Sequence, residues 1–177
     1  MLRQRVSKRL APSTHRSSAR NSVRESEREA KDAMRRELLA LYAETDRVLA
    51  PFSCEASTDC CRFGVTGREP YPTAIELSEL MLAMRRASVD VPSRHRALPL
   101  ASEERRCPLL SAEGRCRAYA SRPFGCRTFF CDRVRGPSKL PRATLQRISR
   151  DIAALSARFA PRDPHPRPLT NALGVSS

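Results

Sequence analysis

Seven cysteines, in a group of three and a later group of four, have the most distinctive chemistry in this chain. They are Cys54, Cys60 and Cys61, then Cys107, Cys116, Cys126 and Cys131. Thiolate sulfur is a preferred ligand of zinc and of iron–sulfur clusters. Two separated groups of thiols that meet in space would allow a metal to hold distant parts of a short chain together. We therefore predict a site for zinc or iron, the iron either as an ion or as an iron–sulfur cluster.

The spacings between the cysteines are C-x5-C-C and C-x8-C-x9-C-x4-C. They match neither a zinc finger, nor a ribbon of paired C-x2-C motifs, nor the bacterial ferredoxin pattern. In an extended segment, adjacent side chains point to opposite faces, so Cys60 and Cys61 would not reach one small ion with equal geometry. One of the two is expected to bind a second metal, to bridge, or only to pack.

Two arginines flank Cys126 in the sequence, and both could act on the metal site. Four thiolates around Zn²⁺ leave a local charge of about −2, which favours nearby cations. Arg122 and Arg127 are placed to supply this compensation. A surface salt bridge is the alternative interpretation for both side chains.

Length and composition indicate one domain with a modest apolar core. The chain has 177 residues, no tryptophan and 5% aromatic residues, and most of the aromatics lie between Phe52 and Cys131. The core should therefore pack around the thiols. The cysteine total is odd, the N-terminus has no apolar signal region, and no run of eighteen apolar residues occurs. We expect no export, no disulfides and no spanning helix, and we place the protein in a reducing compartment, the cytoplasm.

The net charge of +14 is concentrated at the N-terminus, since residues 1–24 contain seven basic residues and no acid. This basic arm is interpreted as disordered and solvated. Binding of nucleic acid or another polyanion, binding of an anionic membrane surface, and a role as a targeting peptide are the alternatives. Arginine greatly outnumbers lysine over the whole chain, which is also consistent with coding composition alone.

Three longer helices are predicted to position the cysteines. The first starts at Ser22 or Ser26 and runs to Leu49, before Pro51. The second starts at Thr73, whose spacing to Glu76 is that of a capping box. The third covers residues 143–160, with an apolar stripe that should face the core.

The segments between these helices were assigned from their turn signals. Residues 107–110 and 115–119 are predicted to form a β-hairpin, and Pro123 to start a short helix that carries Cys126. Residues 87–106 are expected to form a loop in which His95 is solvated. The predicted fold is mainly α with a small β-hairpin, a loop-rich domain organised around a cysteine metal site. Its parts are the arm 1–24, the metal-binding domain 25–160 with its core at 52–131, and a Pro-rich tail at 161–177.

The strings around the later cysteines are similar to those of a known family. They read RCPLL at 106–110, GRCRAY at 114–119 and RPFGCR at 122–127. The chain resembles the YkgJ-type cysteine-cluster family of zinc- or iron-chelating domains over roughly residues 52–131. That resemblance implies metal chelation but no shared reaction. The family's first group usually reads C-x2-C-x2-C-C, and here Ser57 stands at an expected cysteine, so two separate sites of four thiolates each cannot both form.

The sequence favours a metal-binding protein, with a mainly structural metal, over an enzyme. No P-loop, GxGxxG, nucleophile elbow, HExxH or Cys/His pair is present. An iron–sulfur or iron-dependent redox protein with an open coordination position is the first alternative, suggested by Ser57. A zinc module that binds nucleic acid through its basic arm is the second, although residues 1–24 contain no aromatic side chain for stacking on bases.

Overall fold

The structure is a computed structural model that describes residues 15–53, 58–89, 105–129 and 134–174, with residues 15–20 described by their backbone alone. Cys54, Ser57, His95 and Cys131 lie outside these ranges, as do residues 1–14. What the sequence predicts for them stays a prediction. The chain divides into two compact units within its first helix, between Ala33 and Met34.

Helices make up most of the described chain, in agreement with the mainly α prediction. The helices of more than one turn are α1 (His15–Leu49), α3 (Ala74–Arg86) and α5 (Arg142–Phe159). Single-turn helices α2 (Phe63–Thr66), α4 (Phe124–Arg127) and α6 (Leu169–Ala172) lie between and after them. The described ranges also contain two 3₁₀ turns, η1 (Asp59–Cys61) and η2 (Tyr119–Ser121). No helix within the described ranges combines the length and apolar character needed to cross a membrane.

The first unit consists, in its described part, of the beginning of α1. The helix begins at His15 instead of the predicted Ser22 or Ser26. Every residue from Asn21 to Lys31 is exposed. Burial therefore does not stabilise this stretch, whereas charged pairs such as Glu27 and Lys31, four residues apart, favour a solvated helix.

The second unit contains two apolar clusters. One joins α1, α3 and α5 through six buried side chains: Leu38, Tyr42, Ile75, Ile148, Ile152 and Leu155. The other lies beneath the cysteine segments and is formed by Phe63, Leu80, Met84, Cys107, Leu109, Ala118 and Leu169. The predicted apolar stripe of α5 thus faces the core. The α3 cap is also confirmed, because the Thr73 amide donates to Glu76 Oε2 at 2.8 Å.

The predicted β-hairpin is wrong. No strand or sheet is present in the described parts of the chain, and Leu110 and Cys116 form only an isolated bridge. The Leu110 amide donates back to the Cys107 carbonyl at 3.0 Å, which makes residues 107–110 a turn. After Cys116, on the other side of the bridge, the chain enters η2 at Tyr119. Too few extended residues remain on either side to continue a ladder.

The segment after Pro161, predicted to be a Pro-rich tail, packs on the domain. The Leu169 side chain is 1% exposed and belongs to the cluster beneath the cysteines. The Leu169 amide donates to the Pro70 carbonyl at 3.0 Å, and the Arg167 amide donates to the Pro72 carbonyl at 3.2 Å. Prolines end regular structure but also keep a chain extended, which suits a segment that lies against a neighbouring loop.

Candidate metal centre

Five of the seven cysteines lie in the described ranges, and the structure gathers them from three segments of the chain. They are Cys60, Cys61, Cys107, Cys116 and Cys126. Cys60 is exposed and Cys107 is buried, while the other three are partly buried. Four of them line one cleft, and Cys107 lies beside Cys61. Their role as metal ligands stays a prediction.

Cys60 and Cys61 lie on η1, and their Sγ atoms are 4.0 Å apart. In a 3₁₀ turn, successive side chains are separated by about 120°, not by the half-turn of an extended strand. The expectation of opposite faces therefore does not hold. A Zn–S bond of about 2.3 Å places neighbouring sulfurs of a tetrahedron about 3.8 Å apart, so the spacing of this pair suits one edge of a tetrahedral thiolate site.

Cys107 is held beside Cys61 by the backbone. Its amide donates to the Cys61 carbonyl at 2.7 Å, and the residues next to the two cysteines, Arg62 and Arg106, form an isolated bridge. The thiols of Cys61 and Cys107 also interact with each other. One end of the late cysteine segment is therefore fixed to the early one.

Cys126 is carried by α4, whose first amide is held by a buried carboxylate. The Phe124 amide donates to Glu76 Oε1 at 2.7 Å, and the Tyr42 hydroxyl donates to the same oxygen at 3.2 Å. Glu76 is 3% exposed and also caps α3. One carboxylate thus joins α1, α3 and α4 and positions the turn that contains Cys126.

Arg127 fixes the other end of α4. Its side chain is 3% exposed, and its guanidinium pairs with Asp46 on α1. The Nε donates to the Arg122 carbonyl at 2.9 Å, and a terminal nitrogen donates to the Ala120 carbonyl. All three guanidinium nitrogens of Arg127 thus have acceptors within the protein backbone or on Asp46.

Arg122 differs from Arg127 in its partners. Its guanidinium lies 3.9 Å from the centre of the Tyr119 ring and 3.7 Å from an Asp46 oxygen. Its Nε is buried and has no hydrogen-bond acceptor among the described residues. Both arginines predicted to act on the metal site therefore lie near Cys126, but only Arg122 has a buried donor without a partner.

A cleft of about 660 Å³, here called the thiol cleft, connects these groups. Four cysteines line it: Cys60, Cys61, Cys116 and Cys126. Arg122, Arg127 and the exposed Arg115 also contribute to its wall. Ser53 and Val134 line it as well. Ser53 directly precedes Cys54, and Val134 follows Cys131 by three residues. Both of these cysteines lie outside the described ranges.

Burial and contacts between thiols raise the pKa values of Cys60, Cys61, Cys116 and Cys126. The hydrogen bond with Cys107 is the main cause that raises the pKa of Cys61 to about 12. Burial is the main cause for Cys126 and Cys116, and the contact with Cys61 is the main cause for Cys60. A bound cation would lower the pKa values of the thiols that coordinate it, because it favours the thiolate form of each ligand.

The family comparison bears directly on this cluster. The model of the family CxxCxxCC, described as "Putative zinc- or iron-chelating domain", matches residues 53–143, just over half of the chain. This chain belongs to the CxxCxxCC family. The match confirms the resemblance to YkgJ-type proteins. No curated protein and no solved structure matches the chain.

The family name describes the first cysteine group, and the chain departs from it at one position. Residues 54–61 read CEASTDCC, so Ser57 replaces the second cysteine of the pattern. Within the described ranges of this CxxCxxCC domain, no three His, Cys, Asp or Glu side chains lie close enough together to hold one ion. Four of the cysteines line a common cleft, and the Sγ atoms of Cys60 and Cys61, 4.0 Å apart, have a spacing that suits a metal.

Sequence reasoning missed several residues that position the thiols of the CxxCxxCC domain. The capping-box spacing identified Glu76, but nothing local indicated its bonds to Tyr42 and to the Phe124 amide. Asp46, which pairs with Arg127, was one charge among many on α1. These contacts join residues far apart in sequence, so no short pattern could reveal them.

Proposed function

We propose that this domain binds zinc or iron through its cysteines and that the metal mainly serves to hold the fold together. The observation that carries the proposal is that four cysteines, Cys60, Cys61, Cys116 and Cys126, line the thiol cleft while a fifth, Cys107, lies beside Cys61. Membership of a zinc- or iron-chelating family supports the same chemistry.

The backbone around the cysteines supports a structural role for the metal. Ser53 pairs with Arg135, Arg62 with Arg106, and Leu110 with Cys116, and each pair is an isolated bridge. A single bridge contributes little stability, because no adjacent rungs share the entropic cost of ordering the chain. A cation bound to thiolates of several segments would crosslink them, and its binding free energy would add directly to the stability of the fold.

The proposed ligands come from all seven cysteines. Cys60, Cys61, Cys107, Cys116 and Cys126 are assigned from their positions around the thiol cleft and beside it. Cys54 directly follows Ser53 in the sequence, and Cys131 lies three residues before Val134, two residues of the cleft wall. We include both in the set. Seven thiols allow either one site of four thiolates beside a smaller site or a single centre that they share.

The donor set suits zinc and iron alike, since thiolate binds both. When bound, the metal would neutralise the thiolates and fix the distances between their segments. The protein contributes the arrangement: Glu76 and Arg127 hold the two ends of α4, and the Cys107 amide fixes its segment to that of Cys61.

Purification of the full chain under anaerobic, reducing conditions, followed by elemental analysis, tests this proposal. We expect at least one equivalent of zinc or iron per chain. An absorption spectrum separates the two, because iron–thiolate centres absorb visible light and zinc thiolate is colourless. A visible spectrum that changes on reduction would favour the alternative of a redox protein. Salt-sensitive binding to nucleic acid would favour the other alternative.

Removal of the metal tests its structural role. A strong chelator should lower the midpoint of thermal unfolding, and the replacement Cys126→Ser should reduce metal content. The matched control is Ala120→Ser, an exposed position six residues earlier that does not line the thiol cleft. An unchanged midpoint after complete removal of the metal would show that the metal does not stabilise the fold.

A further inference from the structure

Like the Nε of Arg62, which does not line the thiol cleft, the buried Nε of Arg122 has no acceptor among the described residues. A buried donor without an acceptor costs about 1–3 kcal/mol, more when the group is charged. Among the described residues this Nε has no acceptor, although Arg122 lines the cleft with Cys60, Cys116 and Cys126. The rest of the guanidinium is held by the Tyr119 ring and loosely by Asp46.

We propose that Arg122 is a positioning residue of the metal site, and that its Nε–H donates a hydrogen bond to a coordinating thiolate in the metal-bound protein. The inference rests on the proposed function. The candidates for the acceptor are the cysteines that line the thiol cleft with Arg122, namely Cys60, Cys61, Cys116 and Cys126. A thiolate bound to a metal keeps negative charge on sulfur, which makes it a good acceptor for a charged donor.

Comparison with Arg127 separates this role from general support of the fold. The guanidinium nitrogens of Arg127 are taken up by Asp46 and by the carbonyls of Ala120 and Arg122. Each nitrogen of the Arg127 guanidinium therefore already has an acceptor, whereas the Nε of Arg122 has none among the described residues. Its own bond to the Arg122 carbonyl fixes the backbone of Arg122, so the two arginines act in sequence: Arg127 holds the segment, and Arg122 contacts the metal ligands.

Affinity for a metal probe tests the inference. Cobalt(II) serves as the probe, because its thiolate complexes show sulfur-to-metal charge-transfer absorption, and zinc affinity is measured by competition with a chromophoric chelator. Removal of a group that hydrogen-bonds a metal ligand typically weakens metal binding by about 10- to 100-fold. We expect a loss in this range for Arg122→Met, together with a shift of the charge-transfer band. Arg122→Lys should recover part of the affinity, since it keeps the charge but lacks Nε.

Arg117→Met is the matched control, because Arg117 directly follows Cys116 but is exposed and does not line the thiol cleft. It should change cobalt and zinc affinity by less than about threefold, as expected for a solvent-screened charge. An equal loss in Arg117→Met and Arg122→Met would show a diffuse charge effect and overturn the hydrogen bond. Unchanged affinity and an unchanged band in Arg122→Met would also overturn it. If the wild-type chain binds neither metal and also contains no iron after anaerobic purification, the proposed function itself fails.

Discussion

Replacement of Arg127 by methionine should destabilise the domain strongly, although Arg127 is not a proposed metal ligand. The guanidinium is 3% exposed and joins Asp46 on α1 to the carbonyls of Ala120 and Arg122. It also lies 4.2 Å from the centre of the Tyr42 ring. Methionine preserves much of the side-chain volume but removes all of these interactions.

The size of the effect follows from what remains after the substitution. Breaking a buried ion pair costs about 3–5 kcal/mol when the remaining charge stays buried. Asp46 is 50% exposed, so water can solvate much of its charge, which lowers this figure. The two carbonyls and the lost cation–π contact each add about 0.5–1.5 kcal/mol. We therefore expect a loss of about 3 kcal/mol, equivalent to a fall of about 6–12 °C in the midpoint of thermal unfolding.

The assay is denaturant unfolding followed by circular dichroism, at a fixed concentration of free metal so that the metal contributes equally to each variant. Arg127→Lys should lose less than the methionine variant, since it keeps the charge but cannot reach three acceptors. Arg115→Met, an exposed arginine, should change the free energy of unfolding by less than about 0.5 kcal/mol. A loss below about 1 kcal/mol in Arg127→Met would refute the role assigned to these contacts.

Two further predictions concern Tyr42 and the thiols. Burial, and then the neighbouring Glu76 carboxylate, raises the pKa of Tyr42 above its ordinary value. The folded chain thus binds this proton more tightly than the unfolded chain, so its contribution to stability is full below about pH 10 and is lost as the pH rises further. Between about pH 9 and about pH 11 the wild type should lose more stability than Tyr42→Phe, measured by denaturant unfolding; equal losses would contradict the shift. Iodoacetamide should modify the exposed Cys60 before the buried Cys107 in metal-free protein, and zinc should protect both. Peptide mass spectrometry measures the modification of each cysteine. Equal modification of Cys60 with and without zinc would remove Cys60 from the set of proposed ligands.

Local sequence signals predicted the parts of the fold that depend on neighbouring residues. The spacing of Thr73 and Glu76 gave the start of α3, and Pro123 gave the start of α4. The apolar period of α5 gave both its length and its buried face. For α3 and α5, the interactions that define the helix lie within a few turns of chain, so the sequence contains the necessary information.

Predictions were less successful where the outcome depends on distant contacts. The glycine turn between Leu110 and Cys116 has the composition of a hairpin, but the chain turns away after one bridge because Leu109 and Ala118 pack into the core beneath it. Leu169 lies among prolines and has no apolar period around it, yet it is buried against a loop one hundred residues earlier in the chain. A single buried side chain in an irregular segment leaves no pattern to detect.

The cysteine segments depend both on local sequence signals and on distant contacts, and α4 shows how the two are connected. The types and spacing of the thiols were sufficient to predict that separated groups meet, but not what positions them. α4 is one turn long and could not remain helical by itself, because nucleating a helix costs more than one turn returns. Glu76 accepts its first amide, and Arg127 ties its last residue to Asp46. Cys126 therefore lies on a segment fixed at both ends by buried charged groups, whereas Cys60 and Cys61 lie on a 3₁₀ turn without a buried residue. On this basis we expect Cys126 to be held in place before any metal binds, and the turn of Cys60 and Cys61 to gain more order than α4 from a bound metal.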